Sequence, residues 1–351
     1  MKISVYIPAF TKNPFISQLG NSLLNHKEIS DVSYGLELFE SDQLSFDIII
    51  FQWPEVLVKW KRPNKEDIAR ITARLNHLHE NNIIIYSVVH NQLPHDGSNI
   101  LTSVLYQLIY NYSDKIIHLG ESSKYLLKEK VNYKISPENE VVIPHGNYDN
   151  FPNTISRSEA RKKLKLPDDK RVVLSFGKIR NKKEKNLLLK IARLIKKDNG
   201  ILLIAGKFYA PNRKRLSYYL NRFPFWFQSN IRIHDGFIDD NEIQYYLNSS
   251  DLVVIPRIKS LNSGNVALGF TYGRVVLGQN FGVIGEDLMK TGNPVFNGFD
   301  LEEIESSLKS AFDSCENGLG MKNKKYAEST LSWDRISSMY VNLIKQSFIQ
   351  N

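Results

Sequence analysis

Between Ser249 and Glu286 the chain reads as strand, loop, helix, strand: apolar Leu252–Ile255, a polar loop, a helix opened by Asn262-Ser263-Gly264-Asn265 and stopped at Gly273, then Arg274–Leu277. Two short apolar strands joined by one helix are the repeating unit of a parallel sheet. A helix that begins on Asn, Ser and Gly also points free backbone N–H groups and a partial positive charge at whatever precedes it. Gly264 carries no side chain to keep a phosphate from the backbone. The segment is therefore an anion seat at the carboxyl end of a parallel strand, where open α/β sheets bind ligands. Capping alone accounts for the same residues, so the surroundings have to decide.

The alternation runs through the whole chain. Strand-like runs lie at Ile3–Ile7, Asp47–Phe51, Ile83–Val89, Lys115–Leu119 and Glu140–Ile143, with helical patterns at Lys65–Asn81 and Leu101–Tyr112 between them. Residues 146 to 170 are polar, carry Pro152 and Pro167, and read as a linker with a short helix at Arg157–Leu164. A second series follows: strands Arg171–Phe176, Ile201–Ala205, Asn230–His234 and Leu252–Ile255, helices Lys185–Lys197 and Asp240–Asn248, and closing helices Leu301–Ser314 and Trp333–Ile349. The expectation is α/β with two Rossmann-like, doubly wound parallel-sheet domains, 1–150 and 170–330, facing each other across a cleft.

Forty-six basic against 37 acidic residues give a net charge of +9, which favours anionic partners. Cys315 is the only cysteine, so an internal disulfide and a Cys-rich zinc site are excluded. The start of the chain is too short and polar for a signal peptide, and no apolar run approaches a membrane span. The expected location is cytoplasmic, with room for peripheral contact on the inner face of the membrane.

Several segments resemble the two-domain, GT-B fold sugar-nucleotide glycosyltransferases, close to the bacterial family 4 enzymes of surface-polysaccharide synthesis. They are Asn13-Pro14-Phe15, Phe51-Gln52-Trp53-Pro54-Glu55, Val89-His90-Asn91 with Pro94-His95, and Val142-Ile143-Pro144-His145-Gly146. In the second half they are Ser175 to Arg180 with Lys183, Gly236 to Asp240, and Ser250-Asp251 through Pro256. The resemblance implies that Arg180 and Lys183 bind the donor pyrophosphate and that the helix 333–351 packs back on the first domain; Asn13, Asn91, His95 and His145 are the candidate acceptor contacts, with a donor contact or hinge packing as the alternatives for His145. Glu286 follows Gly282 and Gly285 in what reads as a loop after the strand ending at Leu277, and the resemblance implies a glutamate near this position for the donor's ribose or sugar hydroxyls. Two departures stand out. Where many retaining members carry two glutamates eight positions apart, this chain has Ser260 and Leu268. Gln52 replaces a histidine in the first-domain segment.

Glycosyl transfer needs a neutralised diphosphate leaving group, a sugar held near an oxocarbenium-like state, and a proton acceptor for the attacking hydroxyl. Lys178, Arg180 and Lys183 follow a strand and would face Asn262, Ser263, Gly264 and Asn265 across the carboxyl edge of the sheet. Their fixed charges could replace a metal, and no Asp-x-Asp pair at a strand end suggests one; Asp239-Asp240 reads as a helix cap. A solvated loop is the alternative for the lysines. Arg257 reads as a donor contact or a ligand of loop carbonyls. His90 ends an apolar strand, where a neutral imidazole could bond a sugar hydroxyl or take a proton. Glu55 is a candidate general base or acceptor ligand, or else a carboxylate complementing a helix dipole. Asp96 is a further candidate base. The segment Lys207–Arg232 interleaves cations with aromatics, and reads as a packed helix or a membrane contact.

The expected function is metal-independent, hexosyltransferase-type transfer from a UDP- or GDP-sugar to a lipid-linked oligosaccharide of capsule, O-antigen or exopolysaccharide synthesis. No cofactor and no nucleic acid partner are expected. A sugar-nucleotide epimerase or hydrolase, and a non-catalytic binding subunit on the same fold, are the alternatives.

Overall fold

The computed structural model describes residues 2–93, 100–208 and 222–350. His95 and Asp96, and most of the basic and aromatic stretch after Lys207, lie outside the described residues. The chain divides into two units: Met1–Gly146 together with Leu331–Asn351, and Asn147–Thr330.

The first unit is built on six parallel strands: β1 (Ile3–Ile7), β2 (Ile29–Tyr34), β3 (Ile48–Phe51), β4 (Ile84–Val89), β5 (Lys115–His118) and β6 (Glu140–Val142). Their order is β2-β1-β3-β4-β5-β6. Every residue of β3 and β4 is buried, as a sheet covered on both faces requires. The unit's helices include α1 (Pro14–Leu24), α2 (Glu37–Glu40), α3 (Lys65–Glu80), α4 (Ile100–Asn111) and α5 (Ser122–Lys128). The helix α3 starts where Asn64 and Asp67 exchange side-chain bonds with each other's backbone N–H, a reciprocal cap. It then lays Ile71, Leu75 and Leu78 on the core with Ile49, Phe51 and Ile85.

The second unit repeats the plan with α6 (Arg157–Leu164), β7 (Val172–Phe176), α7 (Lys182–Lys197), β8 (Ile201–Ala205), α8 (described over 222–226), β9 (Ile231–His234) and α9 (Ile243–Ser249). It continues through β10 (Leu252–Val254), α10 (Asn265–Thr271), β11 (Val275–Gln279), α11 (Gly282–Lys290), β12 (Val295–Phe296), α12 (Leu301–Glu316) and α13 (Leu319–Ser329). The strand order is β12-β11-β10-β7-β8-β9. Counted from β7, this is the dinucleotide-fold order, reversing direction between β7 and β10.

The last helix, α14 (Trp333–Gln350), belongs to the first unit. Its Ser337 hydroxyl lies 2.8 Å from His26 Nε2, and Tyr86 donates its hydroxyl to the Leu343 carbonyl at 3.1 Å. At the amino edge of the second sheet, the fully buried Arg161 bonds the carbonyls of Pro167, Asp168, Lys170 and Ser249 and pairs with Asp251 at 3.0 Å. Asp251 also accepts the Val172 N–H, so Asp251 ties the strand starts together and lies at the end of β10 remote from its carboxyl edge.

Candidate functional site

In the second unit several of the donor candidates lie where β7 and β10 end, at the reversal of strand order. Gly177 follows β7 with φ +92, and Gly206 follows β8 with φ +147. A Cβ on Gly206 would lie 2.2 Å from the Gly177 carbonyl oxygen, so only glycine allows the two turns to touch. A Cβ on Gly177 would face Asn265 Nδ2 at 3.7 Å and Arg257 Nη2 at 3.9 Å. The loop after β7 and the start of α10 therefore meet at one edge.

Glu184, which the sequence reading overlooked, organises this edge. It is 2% exposed and its Oε2 accepts both the Arg180 N–H and an Arg257 Nη1–H, each at 2.7 Å. The available signal was spacing: Asn181 and Glu184 stand three apart, as in a capping box. Asn181 does cap α7 by accepting the Glu184 N–H at 3.0 Å, but the carboxylate reaches Arg180 and Arg257 instead of returning to the cap. Arg257 is thus buried against a carboxylate.

Lys178, Lys182 and Lys183 are exposed and Arg180 is half-buried. The helix α7 begins at Lys182, three residues before its expected start, so Lys182 and Lys183 stand in its first turn. Cations there oppose the helix dipole by about 0.3–1 kcal/mol each, a cost that an anion in front of the helix would reverse.

Three details differ from expectation. The cap of α10 is Gly264, in helical conformation and without a side-chain cap bond, while Asn265 spends its Nδ2 on the Phe176 carbonyl at 2.7 Å. Glu286 lies within helix α11, not in a loop: Gly282 at φ +60 is needed because a Cβ would meet the Leu261 carbonyl oxygen at 2.7 Å, and Gly285 packs on Asn280. Its neighbour Asp287 is pushed up to about 7 by burial and by the Glu286 charge. Asp239 accepts the Asn241 N–H in a turn, and α9 starts only at Ile243. Ser260 and Leu268 are both buried, and the Ser260 hydroxyl bonds the Asn262 carbonyl at 3.3 Å.

In the first unit the candidates gather at the carboxyl ends of β1, β3 and β4. The His90 ring stacks on Trp53 with centroids 4.5 Å apart and meets Phe15 edge-on at 5.1 Å. His90 Nε2 lies 2.9 Å from Gln52 Oε1; with that oxygen as acceptor, Nε2 carries the proton. Gln52 is 1% exposed and its Nε2 has no partner among the described residues. His145 packs on Phe15 at 4.8 Å, with its Nδ1 2.6 Å from the Gly146 carbonyl. Burial, with a smaller contribution from His145, pulls His90 down to about 3, and burial pulls His145 to about 4. Both rings are neutral at physiological pH, so His90 is suited to bonding a hydroxyl and poorly suited to taking its proton.

Glu55 sits in the 3₁₀ turn Pro54–Val58 and is 6% exposed. Burial raises its pKa, and the nearby Tyr106 hydroxyl opposes the rise. The carboxyl is thus an interior group, with burial favouring its protonated form. Asn13 caps α1, accepting the Phe15 N–H at 3.0 Å, and Asn91 is half-buried beside His90. No cluster of metal-ligating side chains is found among the described residues, and none of their helices is long and apolar enough to cross a membrane.

Two six-stranded parallel sheets clothed in helices are two Rossmann-like domains, and together they define the GT-B fold. Within the second, residues 156–268 match the family model described as Glycosyl transferases group 1, a span that contains Glu184, Arg257 and Asn265. Among solved structures, a sucrose-phosphate synthase from Thermosynechococcus elongatus is 14% identical with a TM-score of 0.71, covering 100% of both chains. Anabaena Alr3699/HepE in complex with UDP-glucose is 11% identical with a TM-score of 0.71, over 99% of this chain and 100% of its own. The UDP-GlcNAc 2-epimerase of Neisseria meningitidis, bound to UDP-GlcNAc, is 14% identical with a TM-score of 0.57, over 99% and 100%. At these identities the likeness is one of fold. No curated protein matches the sequence.

Proposed function

We propose that the chain transfers a hexosyl group from a nucleoside-diphosphate sugar, UDP-linked in the first instance, to a hydroxyl of a lipid-linked oligosaccharide in bacterial surface-polysaccharide synthesis. The observation that carries this reading is the cationic edge at the β7/β10 reversal, where Glu184 holds Arg180 and Arg257 beside Gly177 and the start of α10. It falls inside the span that matches the group 1 transferases. Solved structures of like fold are named in complex with UDP or UDP-glucose.

In this reading Lys178, Arg180 and Lys183, with backbone N–H groups at Ser263–Asn265, neutralise the departing diphosphate without a metal. Glu184 positions Arg180 and Arg257 and is not itself a ligand. His90 bonds a sugar hydroxyl as a neutral imidazole, and the buried, unpartnered Nε2 of Gln52 beside it supports a polar ligand at that place. Asp96 remains the candidate base. Phe223, Trp226 and Phe227, exposed by 50%, 56% and 69%, support shallow docking on the inner face of the membrane.

A thermal-shift screen with UDP, GDP and their sugars tests the donor, since a ligand specific to the native state raises the melting point. No shift with any of them would remove the reading. The likeness to the Neisseria epimerase keeps a sugar-nucleotide epimerase or hydrolase in view. Nucleotide release that needs no acceptor would favour it.

A further inference from the structure

Phe10 and Trp60 are exposed over 54% and 59% of their surfaces. They form a common wall between two cavities of about 890 and 640 Å³, both within the first unit. The second cavity lies where β1 and β3 end, the neighbouring strands at which the order of this sheet reverses. Trp53, stacked on His90, lines it as well, and its ring centroid lies 6.1 Å from that of Trp60.

The backbone holds this arrangement at a cost. Lys59 and Trp60 both adopt the left-handed region, with φ 52 and 61, a conformation that bulky side chains rarely take. The Trp60 N–H is fastened to the Glu55 carbonyl at 2.9 Å. Such strain, spent to hold an indole in water, marks a contact surface.

Charge narrows the occupant. Lys12, Lys59, Lys61 and Arg62 line the cavities, are exposed, and take part in none of the described ion pairs. The carboxylates of the larger cavity are mostly engaged: Glu40 and Asp67 with Arg70, and Glu37 with the Leu36 N–H. Four exposed cations spread over two aromatic-walled cavities suit a hydroxyl-rich chain that carries spaced acidic groups. A concave wall suits a chain lying in it, where a lipid surface would need a projecting edge.

We propose that this groove binds an acidic oligosaccharide. The apolar faces of sugar rings lie on Phe10, Trp53 and Trp60, and carboxylate or phosphate groups along the chain meet Lys12, Lys59, Lys61 and Arg62. The inference rests on the transfer reading for the role of that saccharide, which is the acceptor, but its binding needs no donor.

The full-length chain is tested on an array of neutral, uronic-acid-bearing and phosphate-bearing oligosaccharides, with single-stranded RNA as competitor. The best ligand and UDP are then titrated separately into the parent, Trp60→Ala, Phe10→Ala and the Lys61→Ser/Arg62→Ser double variant. Acidic oligosaccharides are expected to be retained over neutral ones, carboxylate and phosphate being told apart by the array. Each aromatic variant is expected to lose about tenfold or more in affinity, and the double variant to lose the preference for acid, with UDP binding unchanged throughout. Absence of acidic-saccharide binding, unchanged affinity in both aromatic variants, or preferential retention of RNA would each overturn the proposal. Saccharide binding by a parent that binds no nucleoside diphosphate would instead remove the transfer reading and leave the groove.

Discussion

Glu184 and Arg257, 73 residues apart in the chain, meet at 2.7 Å with 2% and 6% of their side chains exposed. One carboxylate oxygen thereby joins the loop after β7 to the loop after β10. Removing one member leaves the other charged and buried, so Glu184→Ala or Arg257→Ala is expected to cost about 3–5 kcal/mol of stability. Urea unfolding of both single variants and the double variant measures the coupling, and additive losses would show that the pair does not act as a unit.

Nucleotide affinity is a separate matter. Arg180→Ala and Lys183→Ala are each expected to weaken UDP binding by about 1.5–3 kcal/mol, the range of charge-assisted bonds. Lys182→Ala, on the same exposed turn, serves as the comparison. Calorimetric titration that finds both losses no larger than that of Lys182→Ala would take Arg180 and Lys183 out of the site.

The histidines predict a direction for pH. His90 at about 3 and His145 at about 4 lie well below the ordinary 6.5, because burial penalises their charged forms. Between about pH 6.5 and 4 the unfolded chain binds protons that the folded chain refuses. Stability therefore falls as pH falls through that window, by up to about 1.4 kcal/mol per pH unit for each histidine, and is flat with respect to them above it. Melting temperatures across this range should show a shallower acid limb in His90→Gln. The same substitution should lower turnover while leaving UDP affinity unchanged.

At the other edge of the second sheet, Arg161 has no solvent exposure and bonds four carbonyls besides Asp251. Arg161→Ala is expected to destabilise the chain by about 3–5 kcal/mol, because Asp251 and those carbonyls lose a buried partner. A melting point within a degree or two of the parent would contradict this.

Glycine was the residue most easily misread from sequence. Gly282 and Gly285 suggested a loop around Glu286, yet they serve close packing at the entry to α11. Polar initiators misled in the opposite sense: Asn262 and Ser263 look like caps, while the cap is Gly264 and Asn265 turns its amide on β7. Glu55 read as a candidate base, an acceptor ligand or a carboxylate set against a helix dipole, and its burial in the turn Pro54–Val58 is a fact of the packed unit.

What the sequence determined by itself was the alternation of buried strands with amphipathic helices, and through it the α/β class, because periodicity and capping act within a few residues of chain. That the candidate donor residues share one sheet edge was legible as well, since they follow the carboxyl ends of parallel strands. Which side chains meet there was decided only in three dimensions. Glu184 finds Arg257, and Gln52 finds His90, through a strand order that no local pattern records. Burial, which neutralises His90 and turns Glu55 into an interior group, is likewise a property of the packed units and not of the residues.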